Sequence, residues 1–364
     1  MRALSVVAMR ALIGGAMRAL IGGAIRALIG GTLALALLLL ASGCTRDVIE
    51  HASADRGGAG DTRVDGAVAD GLPAADATVD GVIDDAPPPP PGWSAVTTGE
   101  TQPLYGIFGA GNRLFAVGAQ GVILERAGSV WRTLTSGVNQ DLHAMWGPPG
   151  SLDDLWAAGQ PIVRFQNGAF VPVTALPKSA VNGLWGSAAN DIWAAGSIGV
   201  VGHYDGVSWQ EVDYLGGALN AVWGSGANDV WMVGAAGLIA RRSGAGASFQ
   251  KLDTGLGVTD NLWGVWGASA SEVWIVGDKG TILRFDGAWS QVTSPTTDRL
   301  RAIWGSGASD VWAVGTQGTI VHYDGQAWSS VSSPTSEDLH AVWGISPSEV
   351  WAVGSSGTAL RYRP

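Results

Sequence analysis

A repeat of about 39 residues occupies most of the chain and restricts its possible folds more than any other feature. Seven units follow one another from residue 104 to the C-terminus, and each opens with an apolar residue that precedes an aromatic residue by four positions and a glycine by five. The opening residues are Leu104, Leu142, Val181, Leu219, Leu262, Leu300 and Leu339. Because a unit of this size cannot bury its apolar side alone, neighbouring units must stack on one another.

Each unit predicts four short strands, which are separated by short turns that include Asp-Gly pairs typical of hairpins. An aromatic residue lies within the second strand of every unit, at Phe115, Trp156, Trp193, Trp231, Trp274, Trp312 and Trp351. Another aromatic opens the fourth strand of the first six units, at Trp131, Phe170, Trp209, Phe249, Trp289 and Trp328. The repeat therefore predicts an all-β protein built from four-stranded units.

The seventh unit lacks a fourth strand, because the chain ends at Pro364 soon after the third. The missing pattern occurs ahead of the first unit, at Trp93 and Val96. If this N-terminal strand completes the last unit, the repeats close into a ring without exposed sheet edges. We therefore predict a monomeric seven-bladed β-propeller over residues 92–364, closed by its N-terminal strand.

Tryptophan is concentrated at equivalent positions of the repeat. Of 18 tryptophans, all but Trp263 lie where large rings are expected to fill the wedge between twisted blades. The Val-Trp-Gly and Asp-Val-Trp-Ala-Val-Gly segments, the latter at residues 310–315, resemble the repeats of secreted bacterial propellers that are grouped loosely with BNR-type and two-component-regulator propellers. The resemblance covers residues 93–364 and implies the fold. It implies no activity, because propellers include enzymes, lectins and scaffolds.

The first 43 residues have the features of a secretory signal peptide. Arginines recur ahead of a 14-residue apolar run at residues 27–40, which is too short to span a bilayer comfortably. An eight-residue repeat places methionines at Met1, Met9 and Met17, and each remains a possible start.

Residues 40–44, Leu-Ala-Ser-Gly-Cys, resemble the lipobox of bacterial lipoproteins. The resemblance implies that Cys44 is lipidated, with palmitate among its acyl chains, and becomes the mature N-terminus. Thr45 after the cysteine implies sorting to the outer membrane of a Gram-negative cell envelope. Ala41 stands where the lipobox prefers leucine, so an ordinary cleaved signal is the alternative. Because Cys44 is the only cysteine, an intrachain disulfide and a Cys-rich metal site are excluded.

Residues 44–91 predict a disordered, acidic and Pro-rich tether. Ten acidic residues against three arginines, together with the proline run at residues 87–91, favour an extended chain. Calcium binding by Asp65, Asp70 and Asp80 is the alternative, although their spacing lacks the closing glutamate of a calcium loop. The net charge of −10 argues against a nucleic-acid partner.

Strand order predicts two different faces. One carries acidic residues just before the second strands, which we interpret as turn caps, with a cation-binding ring as the alternative. These are Asp154, Asp191, Asp229, Glu272, Asp310 and Glu349. The opposite face carries tight Gly-x-x-Gly turns, interpreted as hairpins rather than phosphate loops because no helix follows them.

This opposite face also carries the position at which the units differ most, directly after each opening residue. We name these seven side chains the mouth ring, and they are Tyr105, His143, Asn182, Asn220, Trp263, Arg301 and His340. Varied polar and aromatic groups around one channel mouth predict a ligand site, with Trp263 as a platform for a sugar. The alternative is a water-filled entrance without a ligand.

The mouth ring contains no carboxylate, so neither metal binding nor glycoside hydrolysis is predicted there, and no cofactor is expected. The sequence therefore predicts a membrane-anchored, non-catalytic binding propeller of the cell envelope, with a glycan or protein partner. The alternatives are an envelope polysaccharide hydrolase or lyase, and an assembly scaffold or pilus-associated adhesin.

Overall fold

A computed structural model of the protein describes residues 91–364, apart from Asn112 and residues 149–153, 174–175 and 177–178. The predicted signal peptide, Cys44, and all but the last residue of the predicted tether lie outside the described residues. No helix in the described part of the chain is both long and apolar enough to cross a membrane.

Seven antiparallel sheets of four strands form the structure, which confirms the seven-bladed β-propeller. The N-terminal strand is β1 (Gly92–Ala95). Blade 1 comprises β2 (Leu104–Ala110), β3 (Arg113–Gly118), β4 (Ile123–Ala127) and β5 (Val130–Leu134). Blade 2 comprises β6 (Leu142–Trp146), β7 (Trp156–Gly159), β8 (Ile162–Gln166) and β9 (Ala169–Val173). Blade 3 comprises β10 (Val181–Ala188), β11 (Asp191–Gly196), β12 (Val200–Tyr204) and β13 (Trp209–Tyr214).

The remaining four blades follow the same order. Blade 4 comprises β14 (Leu219–Gly226), β15 (Asp229–Gly234), β16 (Ile239–Ser243) and β17 (Gln250–Lys251). Blade 5 comprises β18 (Leu262–Ser269), β19 (Glu272–Gly277), β20 (Ile282–Phe285) and β21 (Trp289–Gln291). Blade 6 comprises β22 (Leu300–Gly307), β23 (Asp310–Gly315), β24 (Ile320–Tyr323) and β25 (Trp328–Val331). Blade 7 comprises β26 (Leu339–Ser346), β27 (Glu349–Gly354) and β28 (Ala359–Arg363), and β1 completes it.

Closure of the ring depends on the pairing of the two ends of the repeat region. Strand β1 runs antiparallel to β28, with Trp93 opposite Tyr362. Just past β1, the backbone N–H of Val96 donates to the carbonyl of Ala359 at 2.9 Å. The predicted closure by the N-terminal strand is therefore confirmed.

Aromatic side chains pack each blade against the next. Trp156 in blade 2, for example, is fully buried. The centroid of its ring lies 4.8 Å from that of Tyr204 and 5.7 Å from that of Trp209, both in blade 3. The same contact recurs between later blades. It includes the contact of Trp312 in blade 6 with Trp93 in the closing strand β1 of blade 7. These rings form the interblade packing that the sequence predicted.

The glycine after each first-strand aromatic is explained by a second interblade contact. The six-membered ring of a first-strand tryptophan lies over the glycine of the next blade, as Trp266 does over Gly305. A Cβ at Gly305 would lie 2.5 Å from Cη2 of Trp266, which is too close for a carbon–carbon contact. The Val-Trp-Gly pattern therefore couples neighbouring blades.

The acidic residues before the second strands pair mainly with side chains. Asp191 lies 2.7 Å from Nε2 of His203 and accepts hydrogen bonds from the indole of Trp193 and the hydroxyl of Ser187. Each of the six acids has a basic partner, and the other five pairs are Asp154–Arg164, Asp229–Arg241, Glu272–Arg284, Asp310–His322 and Glu349–Arg361. The interpretation as turn caps is therefore wrong for the five acids whose turns the structure describes, which are Asp191, Asp229, Glu272, Asp310 and Glu349. The pairing of the six acids also opposes a cation-binding ring, because four of the six carboxylates already have an arginine as partner.

Candidate functional site

The structure brings all seven mouth-ring residues around one cavity. Each lies directly after the opening residue of a first strand, where a register irregularity separates the opening residue from the rest of the ladder in every blade. Together the seven side chains line a cavity of about 280 Å³. The predicted grouping at the channel mouth is therefore observed, and ligand binding by these residues stays a prediction.

Below the mouth ring, the channel is lined by aliphatic side chains. One residue from each first strand lies at this level, and the seven are Ile107, Met145, Leu184, Val222, Val265, Ile303 and Val342. They are only 6–9% exposed, so they narrow the channel. A ligand that enters the mouth therefore meets polar groups at the rim and an apolar floor.

One arc of the mouth ring is aromatic. Tyr105 lies between two imidazoles, with ring centroids 5.4 Å from His143 and 5.3 Å from His340. Burial lowers the pKa of His143, and burial together with the nearby Arg301 lowers the pKa of His340 to about 4. Burial and the charge of Asp141 raise the pKa of Tyr105. All three groups are therefore neutral near pH 7 and can exchange hydrogen bonds with an uncharged ligand.

The two asparagines connect neighbouring blades. The side-chain Nδ2 of Asn182 donates to the carbonyl of Leu219 at 2.8 Å, and that of Asn220 donates to the carbonyl of Leu262 at 2.8 Å. Among the described residues, neither Oδ1 atom accepts a hydrogen bond. Each amide therefore has an acceptor left over for a ligand.

Trp263 is held more firmly than the sequence suggested. Its indole N–H donates to Asp278 at 2.8 Å, and the guanidinium of Arg299 lies 4.9 Å from the centre of its ring. Arg299 also donates to Asp278 at 2.5 Å. Burial opposes ionisation of Asp278, but hydrogen bonds from Trp263, Arg299 and Asn261 outweigh it and lower the pKa of this carboxyl group. Because Arg299 covers part of the ring, Trp263 is a smaller stacking surface than expected.

Arg301 is the only basic side chain of the mouth ring that is charged near pH 7. Its Nη2 donates to Asp338 at 3.2 Å, while its Nε is buried without a hydrogen-bond partner among the described residues. Burial opposes ionisation of Asp338, but a backbone N–H and Arg301 outweigh it and hold the pKa of this carboxyl group low. The guanidinium of Arg301, whose side chain lines the cavity, can also donate to a ligand carbonyl or carboxylate.

The sequence reasoning missed the residues behind the ring, namely Asp278, Arg299 and Asp338. The sequence contains a signal for Asp278 and Arg299, because both depart from the repeat. Only the fifth unit has an acid at the first position inside its Gly-x-x-Gly turn, and only the sixth has an arginine before its opening leucine. Two departures from the repeat in adjacent units indicate that the two side chains interact.

No cluster of three or more His, Cys, Asp or Glu side chains that could hold a metal occurs within the described ranges. The mouth ring combines uncharged hydrogen-bonding groups with one charged side chain, that of Arg301.

We expect His340 to make stability depend on pH. Its pKa is about 4 in the folded protein and about 6.5 in an unfolded chain, so only the unfolded state takes up a proton between these values. The free energy of unfolding should therefore fall as pH drops from 6.5 to 4. The loss should be on the order of 1–2 kcal/mol, less than the full shift would supply, because the imidazole is partly exposed.

Urea denaturation at pH 7.5 and pH 4.5 measures this effect. His340→Gln removes the titrating group and serves as the control, because the loss in stability that both proteins share comes from other groups. Equal losses in the two proteins would contradict the expectation.

Comparisons with known proteins identify the fold. No protein-family model matches the sequence, and neither does any curated protein. Solved structures that are similar include YCF48 bound to D1 peptide, with a TM-score of 0.62 and 15% identity over 75% of this chain and 97% of that chain. YCF48 from Cyanidioschyzon merolae has a TM-score of 0.62 and 15% identity over 75% of this chain and 99% of that chain. The WD40 β-propeller domain of Doa1 has a TM-score of 0.63 and 10% identity over 75% and 97%. At these identities the likeness shows the fold alone.

Proposed function

We propose that this protein is a non-catalytic binding propeller that holds a protruding segment of a partner protein in the mouth ring. One observation carries the proposal: seven equivalent positions, occupied by five different residue types, converge on a single cavity. Positions that pack between blades vary much less in residue type, since six of the seven first-strand aromatics are tryptophan. Side chains that serve only to pack a repeat fold have no reason to differ in this way.

The size of the cavity favours an inserted segment. At about 280 Å³, it lies just below the range of about 300–1,000 Å³ typical of pockets that bury drug-sized ligands. A single side chain or a chain end fits such a space, and the surrounding loops can contact the rest of the partner. The YCF48 structure with a bound D1 peptide supports the proposal, because a propeller of similar fold accommodates a peptide.

The chemistry of the mouth ring suits a peptide. Two neutral imidazoles and two amides offer hydrogen bonds to backbone groups, and Arg301 offers donors to a carbonyl or carboxylate oxygen. Hydrolysis of a glycoside needs two carboxylates beside the scissile bond, whereas the nearby Asp278 and Asp338 are occupied by Trp263, Arg299 and Arg301.

Trp263 favours a glycan as the second candidate, because an indole ring can stack on a sugar.

The proposal also includes the location in the cell. A lipid anchor at Cys44 in the outer membrane would present the propeller to envelope proteins or polysaccharides. An envelope hydrolase or lyase, a scaffold and a pilus-associated adhesin remain the alternative roles.

Site-specific crosslinking tests the proposal in membranes. With a photoreactive benzophenone at Asn220, we expect a discrete crosslinked protein, and Arg301→Gln should reduce its yield roughly tenfold, as expected for a loss of about 1.4 kcal/mol. The matched control carries the same probe at Tyr214, an outer-strand residue that is 65% exposed. Identical adducts from both positions, or a yield that Arg301→Gln leaves unchanged, would contradict a partner at the mouth.

A glycan array tests the second candidate. Binding of the purified protein to the array that is lost in Trp263→Ala would favour the glycan.

A further inference from the structure

The channel end opposite the mouth ring is lined by seven aromatic side chains, one from each blade. We name them the aromatic cup, and they are Phe108, Trp146, Trp185, Trp223, Trp266, Trp304 and Trp343. The cavity that they line measures about 470 Å³, and its floor is made by aliphatic side chains of the channel. This volume lies within the range of about 300–1,000 Å³ that is typical of small-molecule sites, unlike that of the mouth.

Charged side chains are absent from the described lining of the aromatic cup. It consists of aromatic, aliphatic and glycine residues, with no ionisable side chain among the described residues that line it. The glycines bring neighbouring blades close enough for each ring to lie over the glycine of the next blade, as Trp223 lies over Gly267. The described lining is therefore apolar, and a charged ligand would lose its hydration there without a compensating partner among these residues.

Free hydrogen-bond donors distinguish the cup from ordinary interblade packing. The indole N–H groups of four consecutive blades donate to no described residue, and their tryptophans are partly exposed. These groups belong to Trp185, Trp223, Trp266 and Trp304. By contrast, the N–H of Trp343 donates to the carbonyl of Gly109 at 3.2 Å. One arc of the cup therefore offers unused donors beside an apolar surface.

We propose that the aromatic cup binds an uncharged small molecule with an apolar ring system and a carbonyl oxygen. The apolar rings of the ligand replace water against the indoles, and the carbonyl accepts from one or two free indole N–H groups. A sugar fits less well, because the cup has too few polar groups for its many hydroxyls. A cation fits less well, because the free N–H edges present positive charge to the cavity.

Three ligands with one bicyclic skeleton test the proposal by calorimetry on the whole protein. 1-Tetralone has a carbonyl, tetralin has none, and 1-aminotetralin is cationic at pH 7. We expect 1-tetralone to bind about three- to tenfold more tightly than tetralin, the net value of one hydrogen bond, and 1-aminotetralin to bind most weakly. Tightest binding of the amine, or binding of none of the three, would overturn the proposal.

A variant with Trp185→Phe, Trp223→Phe, Trp266→Phe and Trp304→Phe keeps an aromatic ring at each position but removes all four free donors. The preference for 1-tetralone over tetralin should then fall below about twofold, while tetralin itself binds as before. Trp209→Phe is the matched control, because Trp209 lies in an outer strand with its indole nitrogen buried. A preference that this quadruple variant retains would overturn the role of the indoles.

The position of the ligand can be read without any disruptive substitution. In protein labelled with 5-fluorotryptophan, 1-tetralone should shift the ¹⁹F signals of the cup tryptophans, assigned from the single Phe variants. The signals of fully buried Trp231 and Trp274 should stay unchanged. Shifts confined to Trp263 would place the ligand at the mouth and overturn the proposed location.

Discussion

Gly305→Ala is expected to lower the free energy of unfolding by about 3 kcal/mol, at the upper end of the cost of overpacking a core. The added methyl group would lie 2.5–2.8 Å from three carbons of Trp266 in the neighbouring blade. Neither partner can easily move, because the glycine lies within strand β22 and the indole is clamped between two blades. Chemical denaturation measures the loss.

Gly307→Ala is the matched control, two residues further along the same strand. A Cβ there meets no atom within 4 Å, and neither glycine has a positive φ. We therefore expect a change within about 0.5 kcal/mol, or a small gain from a less flexible unfolded chain. Equal losses at the two positions would show that the effect comes from the backbone rather than from Trp266.

A double variant isolates the contact itself. Trp266→Leu removes the edge of the ring, so Gly305→Ala should cost at least about 1 kcal/mol less in that background than in the wild type. An additive result would show that the indole and the glycine do not interact.

Trp93→Ala is expected to cost about 3–5 kcal/mol, the usual range for a buried tryptophan. Trp93 is 9% exposed. The centroid of its ring lies 5.5 Å from that of Trp312 and 5.7 Å from that of Tyr362. Its loss removes the main apolar contact of the closing strand β1, so the first and last parts of the propeller should separate more easily. Thermal and urea unfolding measure the cost.

The matched control is Tyr214→Ala, which truncates an aromatic residue of another outer strand. Tyr214 is 65% exposed, and we expect a change within about 0.5 kcal/mol. Amide hydrogen exchange then shows whether Trp93→Ala opens the closure between β1 and β28 or only weakens packing throughout the propeller. In Trp93→Ala, amides of β28 should lose protection, whereas those of β24 in blade 6 should keep it. Uniform loss of protection through all blades would contradict a local role in closure.

Sequence reasoning predicted the fold because repetition makes positions comparable. The first-strand aromatics, the outer-strand aromatics and the pattern at Trp93 occur at fixed places within each unit, so the number of blades and the closing strand follow from counting. The same logic placed the mouth ring, since equivalent positions in a closed ring lie at one level of the channel. It failed for residues such as Asp191, whose partner His203 lies on another strand of the same blade.

The sequence by itself determined the seven blades, the N-terminal closure and the set of side chains at the channel mouth, because these depend on periodicity and on the alternation of strand residues. Only the tertiary structure decided that Arg299 covers Trp263, that the acids of the other face are paired, and that the first-strand aromatics enclose a cavity. Such features depend on distances between side chains of different strands and on the space left between them, neither of which a one-dimensional pattern contains.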